Sequence, residues 1–328
     1  MDIRDRIGLE HPVVQAGMGG GVAGGPLAGA VSAAGALGTV GIMAPARFAG
    51  ALQDARRRAP GRPVAANLLA PFTRQAHVDA CIELGAVLVV FHGGLPRRWL
   101  TRLQAAGLPV FATVGTAEEA RAALAAGVDG LVVQGLEAGG HLVGVEPVAA
   151  ALPRVLDVAG DAVPVMAAGG VADSADVRRL LGSGACAAVA GTRFLLTDES
   201  AAHAAYKERV LTAQSTMVTT LFGLGWPMRH RVAPNAATDR WCTRDELGPR
   251  WVRQVGRASA AAGRRLPLTA LDPLTARQRV GIPLFSPALP LAGMPAESVD
   301  RTALYAGETL HRIDSVIPAG EAVAKLVP

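Results

Sequence analysis

Residues 130–141 read Gly130-Leu131-Val132-Val133-Gln134-Gly135-Leu136-Glu137-Ala138-Gly139-Gly140-His141, and the run changes character midway. Its first part is apolar and β-branched, as in a strand buried on both faces. With no helix between, it meets a loop carrying three glycines and ending in an ionisable ring. Glycine lets main chain adopt positive φ and lets a flat ligand lie in contact with the backbone. His141 is therefore expected at the carboxyl edge of a strand, where α/β folds place their chemistry. A turn ending in a surface histidine is the plainer alternative.

Outward from this unit, apolar runs alternate with amphipathic Ala/Leu/Arg segments. Strands are predicted at 12–16, 37–41, 64–69, 86–92, 109–114, 130–135, 164–168 and 187–191. Helices are predicted over 47–59, 97–106, 117–126, 147–159 and 175–181, and Gly85, Gly107, Gly127 and Gly184 suit the residue just past a helix end. Strand followed by helix, eight times, is the pattern of a (β/α)8 TIM barrel, with a doubly wound open sheet as the alternative. The alternation stops after a helix near 203–211. Residues 215–296 then hold Trp226, Trp241 and Trp251 and a proline-rich run from Pro283 to Pro295. The expected division is an α/β barrel over 1–214, a smaller, mostly helical lid over 215–296 packed on the barrel mouth, and a segment 297–328 that returns to the barrel.

Half of the 328 residues are hydrophobic and aromatics are few, which suits close helix-on-sheet packing and argues against disorder. Cys81, Cys186 and Cys242 show no C-x-x-C spacing, so neither a disulfide framework nor a zinc site is indicated, and a reduced, cytoplasmic setting fits. The charged start Met1-Asp2-Ile3-Arg4-Asp5-Arg6 leads into no apolar h-region, which speaks against a signal peptide. Residues 12–46 lack charge, but prolines and glycines break them too often for a membrane span. Residues 229–265 hold nine arginines against three acids, enough to account for the net charge of +5. With no aromatic-interleaved nucleic-acid motif, the cluster fits a lid over an anionic ligand or solvated helix faces.

Barrels of this class hold a ligand phosphate in the loops after strands 7 and 8. Here those loops are Ala168-Gly169-Gly170 and Gly191-Thr192-Arg193, whose main-chain amides suit an anion. Other strand ends add polar atoms: Gln15 to Gly20 after strand 1, Asn67 on strand 3, His92-Gly93-Gly94 after strand 4 and Gln134 on strand 6. Met18 is an apolar platform, Gly19 keeps the backbone open, and Asn67 and Gln134 can satisfy the edge of a heteroaromatic ring. The set is flavin-shaped. Core packing is the plain alternative for Met18, and a strand-end carbonyl partner is the plain alternative for His92.

Residues 12–20 (PVVQAGMGG), Asn67, 91–96 (FHGGLP), 134–141 (QGLEAGGH), 164–173 (PVMAAGGVAD) and 191–200 (GTRFLLTDES) together resemble the nitronate monooxygenase family, formerly the 2-nitropropane dioxygenases, and Leu304-Tyr305-Ala306-Gly307 extends the likeness. Flavin-dependent enoyl-acyl-carrier-protein reductases share several of these blocks. The resemblance implies FMN held non-covalently, its phosphate by Gly169, Gly170, Gly191 and Thr192 and its ring by Met18, Gly19, Asn67, Gln134, Gly139 and Gly140. It also implies that His141 is the catalytic residue. Two departures stand out: Gly17 replaces a common Pro or Ser, and Phe91-His92-Gly93-Gly94 stands where many members have FHFG.

On this reading the enzyme oxidises an alkyl nitronate, a small anion, with O2. His141 would take a proton from a neutral nitroalkane or hold the nitronate oxygens. Arg229 or Arg231 would attract the anion. An FMN-dependent NAD(P)H reductase of an enoyl thioester or quinone is the second reading, and a flavin-free phosphate-binding lyase or isomerase the third. No dinucleotide G-x-G-x-x-G fingerprint follows an early strand, which excludes a Rossmann site but not transient nicotinamide binding. A monomer and a homodimer both fit, and no membrane partner is expected.

Overall fold

The computed structural model describes residues 7–266, 270 and 272–328. The hexapeptide Met1 to Arg6, on which the signal-peptide expectation rests, lies outside the described residues, as do four positions of the expected lid. Eight strands form one parallel sheet: β1 Val13–Gln15, β2 Gly38–Gly41, β3 Val64–Leu69, β4 Val89–His92, β5 Val110–Val114, β6 Gly130–Gln134, β7 Val165–Ala168 and β8 Ala187–Ala190. Their order is β1-β8-β7-β6-β5-β4-β3-β2. A parallel bridge between Val14 and Leu37 returns β2 to β1, with Leu37 N–H donating to Val13 O and Gln15 N–H donating to Leu37 O, both at 2.9 Å. The open-sheet alternative is excluded, and the fold is a (β/α)8 barrel.

Seven helices follow the first seven strands: α1 Gly25–Ala33, α2 Pro45–Arg58, α3 Gln75–Glu83, α4 Arg97–Ala105, α5 Ala117–Ala125, α6 Val148–Ala159 and α7 Ser174–Gly182. Two of these, α1 and α3, had no bounds among the predicted segments, although Gly85 marked the end of α3, and there is a physical reason. In α1, Gly25, Leu27, Ala28, Gly29, Val31 and Ser32 are all buried, so no polar stripe marks its period. In α3 the start is capped by a histidine: His77 Nδ1 accepts from the Arg74 N–H at 3.0 Å, a pattern outside the usual Ser/Thr/Asp signals. Gly85, Gly107, Gly127 and Gly184 all have positive φ just past their helices, as their positions predicted.

Side chains alternate along each strand, and register decides which set faces inward. The lumen is filled by Val14, Leu37, Ala65, Leu88, Val90, Phe111, Val132, Met166 and Ala187. Phe111 pairs with Gly130, where any Cβ would collide with the Phe111 ring. By the same parity Asn67, His92, Thr113 and Gln134 point inward nearer the carboxyl ends of their strands.

The chain divides into two compact units. One takes the described residues up to Ala138, with Val143–Ala201 and Val316–Pro328; the other takes Gly139–Leu142 and Ala202–Ser315. The second unit contains the helices Ala204–Thr212, Ala236–Trp241, Arg250–Arg265 and Asp272–Arg277. It also has a three-stranded antiparallel sheet in the order Met217–Thr219, His230–Val232, Gly140–His141. Its core gathers Leu221, Phe222, Val232, Ala237, Val252, Phe285 and Ala303. No helix among the described residues is long and apolar enough to cross a membrane.

Phe111 is fully buried in the lumen. Phe111→Ala is expected to destabilise the barrel by about 3–5 kcal/mol, read from urea-denaturation midpoints, because a floor ringed by β-strands cannot collapse into the void. A cost under about 1 kcal/mol would show that the lumen is not packed around this ring.

Candidate functional site

The expected cofactor residues of the first unit lie at or just beyond the carboxyl ends of its strands. Asn67 is half-buried, and its Nδ2 donates to Val90 O at 3.4 Å. A Cβ on Gly17 would run into Asn67, so the turn after β1 lies flat against β3, followed by half-buried Met18 and Gly19. Gln134 is buried, and its Oε1 accepts from the Val143 N–H at 2.8 Å and the Gly144 N–H at 3.4 Å. That carbonyl therefore braces the loop into α6. Thr39, inward on β2, was not singled out from sequence: it is 3% exposed, and its Oγ1 has no hydrogen-bond partner among the described residues.

Two glycine-backed strand ends stand side by side. Gly169 and Gly170 after β7 have φ of 123° and 68°, values that disfavour any side chain. Gly191 after β8 has an ordinary φ of −106°, and a Cβ there would meet only the Ala16 Cβ at 3.8 Å. Among the described residues no neighbour explains why residue 191 lacks a side chain. Thr192 is buried at the start of the single turn Thr192–Leu195. Arg179 on α7 reaches this loop: its Nη2 donates to Gly170 O and to Asp176 Oδ1, each at 3.4 Å. Its only sequence signal was the Asp176/Arg179 spacing of three, which reads as an ordinary helix pair.

The octapeptide at 134–141 contains a bracket that sequence did not disclose. Both Glu137 carboxylate oxygens accept from the Val148 N–H, at 3.0 and 3.2 Å, capping α6 from outside the helix. Gly135 is glycine because a Cβ would strike that carboxylate. At Gly139 a Cβ would stand 2.6 Å from the Ala306 and Gly307 backbone, so the chain itself demands this glycine. Gly140 has φ of 83°, and a Cβ there would meet nothing within 4 Å.

His141 does not end a barrel strand. It lies in the two-residue strand Gly140–His141, in register with His230 and Arg231 of the second unit. Its imidazole stacks on Trp226, with ring centroids 3.8 Å apart and planes 25° apart; Tyr305 and His230 stand at 5.2 and 5.3 Å. His230, unremarked in the sequence, is fully buried. Burial pushes its pKa down to about 4, partly opposed by the hydrogen bond to Met228 O at 3.0 Å. Its Nε2 accepts from the Phe222 N–H at 3.4 Å, so the proton sits on Nδ1 and the ring is neutral. Tyr305 donates to Pro287 O at 2.9 Å, and burial raises its pKa. Of the two arginines considered for an anion, Arg231 is 5% exposed, pairs with Glu308 at 2.7 Å and donates to Thr216 Oγ1 at 2.9 Å, whereas Arg229 is exposed.

A closed ring of eight parallel strands with helices between them is the (β/α)8 class, whose members frequently hold a phosphate at the loops after the last two strands. Within it, the nitronate monooxygenase family matches residues 2–79 and 70–328, and the chain belongs to that family. A nitronate monooxygenase of Pseudomonas aeruginosa is 34% identical, the match covering 66% of this chain and 76% of that protein. A (3aS,4S,5R,7aS)-5-hydroxy-7a-methyl-1-oxo-octahydro-1H-indene-4-carboxyl-CoA dehydrogenase of Mycobacterium tuberculosis is 38% identical, over 66% of this chain and 62% of that protein. The chain thus spans under two thirds of that relative's length. Among solved structures, nitroalkane oxidase from Streptomyces ansochromogenes superposes with a TM-score of 0.74 at 29% identity, covering 99% of this chain and 96% of that one. FabK from Thermotoga maritima gives 0.75 at 25%, covering 99% and 94%.

The buried neutral His230 makes stability depend on pH. Between pH 6.5 and about 4 the unfolded chain binds a proton that the folded ring refuses, so stability is complete above 6.5 and falls as pH drops to 4. Wild type is expected to lose about 3 kcal/mol across that window that His230→Gln retains, measured by urea denaturation at pH 7, 5.5 and 4. Parallel losses in the two proteins would mean that His230 titrates normally in the fold.

Proposed function

We propose that this chain is an FMN-dependent oxidoreductase that oxidises alkyl nitronates with O2. The observation that carries the cofactor assignment is the bare main chain at Gly191, where none of the described residues excludes a side chain, next to the left-handed pair Gly169-Gly170. A phosphate there would be met by main-chain amides, the Thr192 hydroxyl and the Arg179 guanidinium. Met18, Gly19, Asn67 and the Gln134 amide nitrogen would hold the ring, and Thr39 Oγ1 is a buried hydroxyl still lacking a partner in the same lumen. Gly139 and Gly140 are the weaker assignments, since Ala306 and Gly307 already account for the first. FMN held there would supply the electron acceptor for a nitronate, with O2 as the final oxidant.

The protein's own contribution is to bind, orient and move a proton. His141 would accept the proton of a neutral nitroalkane at a ring nitrogen, or donate a hydrogen bond to the nitronate oxygens once protonated. Arg231, already neutralised by Glu308, is the poorer anion attractor, and exposed Arg229 the better.

A second reading, an FMN enzyme acting on a CoA or enoyl thioester with a nicotinamide partner, is favoured by the dehydrogenase relative, whose name places a carboxyl-CoA among its substrates. Oxygen uptake with a nitronate, set beside NAD(P)H oxidation with an enoyl thioester, separates the two, and a colourless protein that takes up no FMN would leave only a flavin-free barrel.

Gly191→Val tests the cofactor site. The melting temperature is expected to stay within a few degrees of wild type while FMN affinity, followed by quenching of flavin fluorescence, falls at least tenfold as the branched side chain enters the phosphate's space. Unchanged affinity in the folded variant removes the phosphate from this loop. For the chemistry, His141→Ala is expected to retain FMN and to slow turnover of neutral nitroalkanes by about 10²- to 10⁴-fold, with a smaller effect on preformed nitronates. Equal rates to wild type on both substrate forms would take His141 out of the reaction.

A further inference from the structure

Three small residues on the helix Arg250–Arg265 meet the loop that carries Trp226. Gly256, Ser259 and Gly263 share the inner face of this helix with buried Val252, at spacings of three and four. A Cβ at Gly263 would stand 2.5 Å from Gly225 O, and one at Gly256 would stand 3.2 Å from Gly223 O. Between them Ser259 Oγ accepts from the Gly225 N–H at 2.9 Å. The helix backbone therefore lies directly against residues 223–227, and Gly223 O accepts from the Trp226 N–H at 3.1 Å. Trp226 is 8% exposed, and its indole lies over the His141 ring at 3.8 Å.

We propose that Trp226 is a positioning residue for His141, and that the face formed by Gly256, Ser259 and Gly263 holds the 223–227 turn where the indole stays stacked on the imidazole. An imidazole turns about its Cβ–Cγ bond with little intrinsic preference, because that torsion is broad. Stacking removes the freedom: one ring face is covered, and the nitrogens are presented only along the ring edge. Offset stacking of this kind adds attraction beyond the area it buries. Among the described residues of this unit, neutral His230 on the paired strand and Tyr305 also face His141. Beside them lie Arg229, whose carbonyl accepts from the Leu142 N–H at 2.8 Å, and the Arg231–Glu308 pair. Neither His230 nor Tyr305 stacks on the imidazole as Trp226 does, and a stacked indole confines the plane of the ring it covers. The catalytic consequence rests on the role proposed above for His141; the geometric claim does not.

The test reads the ring before it reads turnover. In the full chain with 13C-labelled histidine, the His141 ring resonances are assigned by their loss in His141→Ala. The indole's ring current should displace them upfield. Trp226→Leu should abolish the displacement and Trp226→Phe should restore part of it. Gly263→Val should abolish it with Trp226 still present, because the turn must move. If Gly263→Val does not fold, Ser259→Ala removes the bond to Gly225 and should weaken the displacement. Val255→Ser, on the exposed face of the same helix, should leave it unchanged. In turnover, Trp226→Leu should lower kcat on a neutral nitroalkane by about ten- to a hundredfold, the usual effect of a misplaced catalytic group, with KM nearly constant and Trp226→Phe intermediate. His141 resonances that keep their wild-type positions in Trp226→Leu overturn the proposal, as does an unchanged kcat in a variant whose ring has moved. Resonances that move as expected in a protein whose wild type turns over no nitroalkane uphold the stack and overturn only the nitronate reading.

Discussion

Phe111 can lie across the barrel lumen because its partner in the next strand is Gly130, and any larger residue at 130 would occupy the ring's place. That contact fixes the register of β5 on β6, and register in a period-two structure fixes everything above it. A slip of β6 by one residue would turn Gln134 out toward the helices and turn Val133 in, at the cost of burying a polar amide among apolar neighbours. With the floor closed by Phe111, Val132, Met166 and Ala187, polar side chains begin only in the next layer. The barrel thus has a dry base and a polar upper layer from one packing decision.

The second unit is organised by a smaller pairing. Two residues, Gly140 and His141, add a strand to the His230–Val232 edge. That places His141 among Trp226, His230 and Tyr305, an aromatic setting in which the one neighbouring histidine is held neutral by burial. The glycines of the octapeptide serve different ends. Gly135 makes room for the Glu137 carboxylate, Gly139 for the backbone at 306–307, and Gly140 takes a left-handed turn against no protein neighbour. A motif that reads as one flexible, ligand-facing loop is in fact a cap, a close contact and a strand start in sequence.

Much of this was legible in the chain. All eight barrel strands lie where alternation of apolar and amphipathic segments predicted them, with no end differing by more than three residues. Helices with a clear polar face, such as α2 and α4, were equally plain, while α1, buried almost all round, left no period to read. The glycine pairs after β7 and β8 were recognisable as special, but not which glycine the fold itself requires: Gly169 and Gly170 have positive φ, and Gly191 does not.

Periodicity and helix-ending glycines are encoded within one strand–helix unit of about 30 residues, so local sequence suffices to specify the repeat and, by counting, the barrel. The environment of His141 is a different kind of fact. Trp226, His230 and Tyr305 are remote from it in the chain, and they converge through an antiparallel pairing of two residues and a helix packed on its glycines. Neither leaves a periodic trace. Contacts of that kind depend on how distant backbones pack, and only the folded chain brings an indole, a neutral imidazole and a half-buried phenol around one ring.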